Sequence, residues 1–533
     1  MELSSLLLLL PFLLGFYLTK VWATGRNARR LPPGPRGLPL IGNLHQVGAL
    51  PHRALRALAA THGAPDLMRL RLGQVPAVVA SSPAAAAALM REHDGAFGTR
   101  PYFRTAEILT YGFQDLVFAP HGEHWRHVRR LCSAHVLSAV RSHSFDGMRE
   151  REVAALVRTI RERAGGVVDV SKALYGFANG VICRAVSGTG RGLSREEEEG
   201  RRSELFRALI EENTALLGGF CVGDYFPSLA WVDDALSGAG ARAWRNFKRW
   251  DDLLEKVVQE HEARRRRRGD GDGEEEEEEE EDFVDVLLAL QAEEKQDHDG
   301  GFELTRDAIK SLLADMFAAG TETSFITLEW AMSELVRNPA AMEKLKSELR
   351  AAPPGSTTVA AGRDDALGAT TTATPYLRAV VKETLRLHPP VPLLLPRECM
   401  RDTTVLGFHV ARGTRVFVNA WAVGRDPASW SAPDEFRPER FLEDSEVDFR
   451  GAHFQFVPFG AGRRVCPGMQ FGLATVELAL ANLVRLFDWA LPGGAAAAPG
   501  DLDMSDAPGL ATPRRVPLQL VAKPVLGPEK QTT

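Results

Sequence analysis

Along most of this chain apolar residues return every three or four positions, the period of a helix with one buried face. The pattern predicts helices over Pro83–Glu92, Glu123–Val136, Phe145–Arg163, Glu204–Leu217, Trp244–Ala263, Thr305–Arg337, Pro339–Leu349 and Tyr376–Leu387, with a last one over Gly468–Phe487. Strand-like runs are fewer and shorter: Leu67–Leu72, Ala77–Ala80, Thr404–Leu406 and Arg415–Asn419. The body therefore reads as mainly α with small β-sheets. No internal repeat is visible.

Several stretches break the pattern. Leu3–Thr19 carries no charge. It is short for a span of ~20 residues, and Val21, Trp22 and Ala23 extend it if Lys20 reaches back to the interface. Glu2 precedes this run, and Lys20, Arg26, Arg29 and Arg30 follow it, the reverse of a secretory signal. An N-terminal membrane anchor helix over residues 1–23, with the body on the cytosolic side, is the expectation; a cleaved signal is the competing reading. Residues 24–44 form a basic, proline-rich linker, because PPGPRG from Pro32 to Gly37 cannot be helical. Residues 45–533 then make the main body. Within it RRRRRGDGDGEEEEEEEED, Arg264–Asp282, cannot bury a core and is expected to be a charged disordered loop, as Ala351–Pro375 is expected to be a second loop.

Composition narrows the class. With 533 residues, 44% of them hydrophobic, the chain has ample material for a large core. A net charge of −6 gives no global case for nucleic acid. Cys132, Cys183, Cys221, Cys399 and Cys466 are widely spaced with no CxxC pair. Zinc-ribbon and redox-motif readings therefore lack support, as does a disulfide framework.

One of those cysteines stands in an unusual setting, FVPFGAGRRVCPG, Phe456–Gly468. Gly460 and Gly462 permit tight turns, and Pro467 suits the first turn of a following helix. Cys466 then lies near a helix N-terminus beside Arg463 and Arg464, an arrangement that lowers a thiol's pKa and suits a metal-bound thiolate. A small buried hydrophobe is the plain alternative. His121, His124, His127 and His388 are rival metal ligands, but none sits in a comparable loop. In KETLRLHPP, Glu383 and Arg386 share a helix face, and PDEFRPERF supplies Arg440. A buried Glu–Arg–Arg cluster is tolerable only if fully hydrogen-bonded. In DMFAAGTETS, Asp315–Ser324, Gly320 weakens the longest helix and Thr321, Thr323 and Ser324 can bond back to carbonyls and bend it. The plain reading is a core helix with satisfied hydroxyls; the other is a bent helix that holds water beside Glu322. In WRHVRR, Trp125 and Arg129 share a face, as on any amphipathic surface helix.

In this chain order, AGxET(S/T) over Ala319–Ser324, the ExxR pair, the PERF arginine and FxxGxRxCxG over Phe459–Gly468 resemble the cytochrome P450 family. The PPGP lead and FGAGRRVCPG look like its plant A-type group, in the seventy-one clan, and the resemblance runs from Leu31 onward. It implies the cytochrome P450 fold, with a long central helix over heme b and a cysteine-ligand loop. It implies Cys466 as the axial thiolate of the iron, with Phe459 in the heme-binding loop. Trp125, Arg129, Arg397 and Arg464 are then propionate contacts, while Arg126 and Arg130 lean toward a redox partner. Glu383, Arg386 and Arg440 lock the core behind the heme, and Thr323 assists dioxygen activation with Glu322 as its acidic neighbour. Substrate is expected against Phe317, Ala319, Val391, Leu393, Leu394 and Leu510.

The function so implied is a monooxygenase, single-pass in the endoplasmic reticulum membrane. It inserts one oxygen atom into a small hydrophobic or aromatic plant metabolite: an indole, phenylpropanoid, oxime or terpenoid. Electrons come from NADPH through NADPH-cytochrome P450 reductase, with cytochrome b5 as a further donor. Two rivals stand beside it. A heme-thiolate isomerase or dehydratase needs neither O2 nor reductase, and such members often lose the acid–Thr pair that Glu322–Thr323 retains here. A non-enzymatic heme sensor is the other. The segment Ala351–Pro375 and the Arg/Glu tracts depart from the family pattern without touching the chemistry.

Overall fold

A computed structural model describes residues 30–188, 196–232, 238–269, 281–296, 303–351, 374–444, 446–493 and 498–525. The anchor expected over residues 1–23 lies outside them, as does most of the loop expected over Ala351–Pro375. Among the described residues no helix is long and apolar enough to cross a membrane.

Ten helices carry the argument: α1 (Glu123–Leu131), α2 (Asp146–Arg161), α3 (Val170–Ser187), α4 (Glu196–Leu217), α5 (Ala239–Gly269), α6 (Phe283–Gln296), α7 (Arg306–Arg337), α8 (Pro339–Ala351), α9 (Pro375–Leu387) and α10 (Met469–Leu486). The sheets are small. β1 (Leu67–Leu72), β2 (Val75–Ala80), β7 (Arg415–Val418) and β4 (Arg397–Glu398) lie in the order β1-β2-β7-β4. β1 and β2 pair antiparallel with Leu67 opposite Ala80, and β2 and β7 pair parallel with Ala77 opposite Arg415. β3 (Val167–Asp169), β9 (Gln519–Pro524) and β8 (Phe487–Ala490) form a second sheet, and β5 (Thr403–Val405) with β6 (Phe408–Val410) a hairpin.

The long helix α7 is the axis of the molecule. Thr305 caps it, its Oγ1 accepting from Ala308 N at 3.1 Å, with Asp307 in the first turn and Arg337 in the last. These place acid and base where the helix dipole favours each. From Ala308 to Leu335 most of its side chains are buried, because α3, α10, α9 and α5 surround it. The predicted helices recur with ends within a few residues, except that α4 and α5 begin earlier and α5 ends later.

The charged block is only partly as expected. Arg264–Arg268 continue α5 as helix, since five arginines beyond a solvated face are no barrier to helical backbone. Asp282 is buried, accepting from His261 Nε2 at 2.7 Å and capping α6 through Asp285 N at 2.9 Å. Residues 270–280 lie outside the description.

Candidate active site around Cys466

The backbone of the cysteine loop is held first. Gly460 and Gly462 both have φ of 68°, where an L side chain is strained. A Cβ on Gly462 would also stand 2.3 Å from Met90 O. Cys466 N donates to Phe459 O at 3.0 Å, which turns the thiol and the Phe459 ring onto one cavity. Gly468 then caps α10.

That cavity is mostly apolar, and α7 and the thiol both line it. Ala319, Gly320, Thr323 and Ser324 come from α7, Val391 and Leu394 from the turn after α9, and Leu116 and Val117 from the segment before α1. Thr323 Oγ1 donates back to Ala319 O at 2.8 Å, so its lone pairs remain for the cavity.

One end is cationic. Arg100, Arg129 and Arg464 line it beside Trp125. Arg464 donates to the carbonyls of Gly98 and Ala119 at 2.8 and 2.6 Å, and lies 3.9 Å from the centre of the Trp125 ring. Trp125 Nε1 donates to Leu116 O at 3.1 Å. Arg100 donates to Val117 O, Leu395 O and Pro396 O. Burial lowers the pKa of all three arginines, and Arg464, with Arg397 and Arg129 beside it, falls to about 9. Sequence reasoning missed Arg100, a lone charge in an aperiodic segment. It also missed two acids beside these cations, Asp115, which is buried, and Asp315, which is partly so. Asp115 accepts from Val117 N and Phe118 N, and Asp315, on the cavity wall, accepts from Leu116 N at 2.8 Å. Burial pushes both carboxyls up, Asp115 to about 6, and the Asp115 charge adds to the rise at Asp315.

The thiol departs from the expectation of a lowered pKa. Burial pushes Cys466 up, and the Gly468 amide and the Arg129 charge offset this only in part. Three expected wall residues are elsewhere. Phe317 turns toward α4 and α5, stacked on Phe206 with ring centres 3.9 Å apart. Leu393 packs toward the β1–β2 core, because the turn that puts Leu394 at φ 50° sends neighbouring side chains to opposite sides. Leu510 lies against Gly218 at the end of α4. Arg397 stands behind the cysteine loop, donating to Asp94 Oδ1 and Ala461 O, rather than on the wall. Glu322 faces α4, accepting from Thr214 Oγ1 at 2.7 Å. Ala319, Val391 and Leu394 do line the cavity.

Beneath the site Arg386 grips Glu383 with two N–H groups at 2.7 and 2.8 Å and donates to the carbonyls of Gly424, Pro433 and Glu435. Arg440 Nε reaches Glu383 Oε1 at 3.0 Å. The Glu383 and Arg386 side chains are wholly buried and fully bonded, the condition under which buried charge is tolerated.

The profile of the cytochrome P450 family matches residues 32–510. The chain belongs to the cytochrome P450 family. Among curated proteins it is 43% identical over 521 residues to cytochrome P450 71AP13 of Prunus mume, covering 98% of this chain and 94% of that one. It is 41% identical to premnaspirodiene oxygenase of Hyoscyamus muticus, covering 98% and 99%. With indole-2-monooxygenase of Zea mays the identity is 44%, covering 92% and 87%. Among solved structures a zebra fish cytochrome P450 with progesterone superposes at a TM-score of 0.69 with 26% identity, covering 89% of this chain and 99% of that one. The chain is thus a cytochrome P450 monooxygenase. Its family implies heme iron, a redox partner and a small hydrophobic substrate.

The residues of this P450 fit that group. The thiol opens on a mostly apolar cavity, and Arg100, Arg129 and Arg464 supply positive charge that Asp115 and Asp315, held toward neutrality, do not balance. Two propionates complement that surplus. Arg129 is the most available, since no hydrogen bond among the described residues ties its guanidinium.

Proposed function

We propose that this P450 is anchored in the endoplasmic reticulum membrane, takes electrons from NADPH through NADPH-cytochrome P450 reductase, with cytochrome b5 as a further donor, and oxygenates a small hydrophobic or aromatic plant metabolite. The observation that carries the reading is that Cys466 and Thr323 line one mostly apolar cavity. Heme iron, when bound, would supply positive charge that favours the thiolate form of Cys466, together with the redox chemistry. The protein does the rest. Cys466 Sγ would hold the metal, and Arg129, Arg464 and Arg100 would hold the carboxylate edge. Phe459, Leu394, Val391 and Ala319 exclude water and orient an apolar substrate. Thr323 Oγ1 holds a proton at the cavity wall, and Glu322 renews it. The retained acid–Thr pair favours oxygen insertion over isomerisation or dehydration.

The relatives support the substrate class: one is named for indole and another for premnaspirodiene. Membrane association is supported by an apolar surface near the start of the described chain. Leu38, Leu40 and Ile41 are exposed there, and Leu229 and Trp231 are exposed on a neighbouring segment. The β1–β2 turn joins the two, through Gly73 N to Ile41 O and Gln74 N to Tyr225 O.

Full-length protein in microsomes with reductase and NADPH, incubated with a plant metabolite extract under 18O2, tests the reading. One compound should gain a labelled oxygen, and the reduced carbon-monoxide complex should show a thiolate spectrum. Product formed without NADPH and O2 would favour the isomerase or dehydratase; a thiolate spectrum with no substrate consumed would favour the sensor.

A further inference from the structure

The acid assigned to proton supply does not face the cavity. Successive helical residues point about 100° apart, and with Thr323 on the wall Glu322 turns toward α4. There Thr214 Oγ1 donates to Glu322 Oε2 at 2.7 Å, and no other hydrogen bond reaches that carboxyl among the described residues. Burial pushes Glu322 above the usual carboxylate range, Glu211 adds to the rise, and the Thr214 hydroxyl draws it back. Beyond it a polar seam leads outward. Glu211, about half exposed, pairs with Arg207 at 3.0 Å, and Arg207 lies over the Tyr175 ring of α3 at 5.0 Å. The Tyr175 hydroxyl is buried without a hydrogen-bond partner among the described residues. The titratable groups that act on or respond to this carboxyl are therefore Glu211 from α4 and Tyr175 from α3, and Arg207 of α4 and Cys183 of α3 face Tyr175. From α5, Asp251 and Glu255 meet α7 at Lys310, roughly three turns away.

We propose that Thr214 is a positioning residue whose hydroxyl holds the Glu322 carboxyl on the α4 side of the long helix, where it exchanges protons with water at the Glu211 end and relays them to Thr323. This rests on the proposed monooxygenase reading, in which the Thr323 region delivers protons. In the relay Glu322 gives its proton to the cavity side and regains one from water along the seam; no electron moves. A hydroxyl donated to a carboxylate stabilises the charged form. Thr214 thus keeps Glu322 acidic enough to release what it carries, and without it the acid retains its proton.

The test uses heme-loaded full-length enzyme and reads the carboxyl stretching band by infrared difference spectroscopy across a pH titration. Loss of the band in Glu322→Gln assigns it. Thr214→Val and Thr214→Ala, both without the donor, should move its midpoint up by about one pH unit, roughly tenfold in acid constant. Thr214→Ser should leave it at the wild-type value. In D2O, the solvent isotope effect on product formed per NADPH should rise in the Val and Ala variants and not in the Ser variant. A midpoint unmoved in Val and Ala, or a Ser variant that follows them, would overturn the assignment. The carbon-monoxide spectrum separates the two readings. If wild-type enzyme lacks a thiolate band the monooxygenase reading fails, while the infrared titration still reads Thr214 directly.

Discussion

At Cys466 the protein alone works against the charge its chemistry needs. Burial raises the thiol, so the anion forms when a metal draws it out. Cys466→Ser should therefore leave the fold in place, with a thermal midpoint near that of wild-type apoprotein, yet abolish the thiolate band of the reduced carbon-monoxide complex. Unchanged spectra would remove Cys466 from the iron. Thr323 presents the second test. Its hydroxyl is the cavity's proton carrier, and general acid–base groups of this kind contribute about 10²-fold or more. Thr323→Ala should keep the heme spectrum while product formed per NADPH falls toward that scale and peroxide appears instead, measured by oxygen and peroxide electrodes. Cys466, Arg464 and Thr323 were legible because rare residue types stood at fixed spacings among glycines and prolines. Arg100, Asp115 and Asp315 were not, since each is a single charge whose meaning arises only when distant segments meet.

Between elements, Glu383 and Arg386 on α9 tie the helix to the loop that carries Arg440. Removing one partner leaves the other buried and uncompensated, at a cost of about 3–5 kcal/mol. Arg386→Ala should lower the denaturation midpoint accordingly and reduce heme retention, measured by guanidinium titration and by absorbance ratio. A variant as stable as wild type would show that the pair is ornamental. Helices were legible where one face is wet. α3 was not: Leu174, Phe177, Val181, Ile182 and Ala185 are all buried and two glycines interrupt it, so no polar stripe sets a period. β3, β8 and β9 escaped for another reason, being short runs whose pairing is settled by long-range contact rather than alternation. Phe317 was misplaced because the period marks a residue as buried without saying which neighbour buries it.

Taken as a whole, the molecule holds a titration that only its assembled core creates. Asp115 and Asp315 ionise in the unfolded chain near pH 4, but folded they resist, Asp115 to about 6 and Asp315 well above its ordinary range. With folded pKa values raised, the stability tied to this pair is fully present below the unfolded value and is lost as pH rises through the folded ones. Asp315→Asn keeps an acceptor for Leu116 N and removes the charge. Its stability relative to wild type should grow as pH climbs above the unfolded value near 4, followed by chemical denaturation at several pH values; a constant difference would mean that the fold does not raise Asp315. The same charge arrangement bears on what the folded chain admits. Arg100, Arg129 and Arg464 ask for anions as firmly as the walls ask for an apolar body. A porphyrin esterified at both carboxylates should consequently reconstitute poorly although its ring is unchanged, and free protoporphyrin without iron should out-compete it.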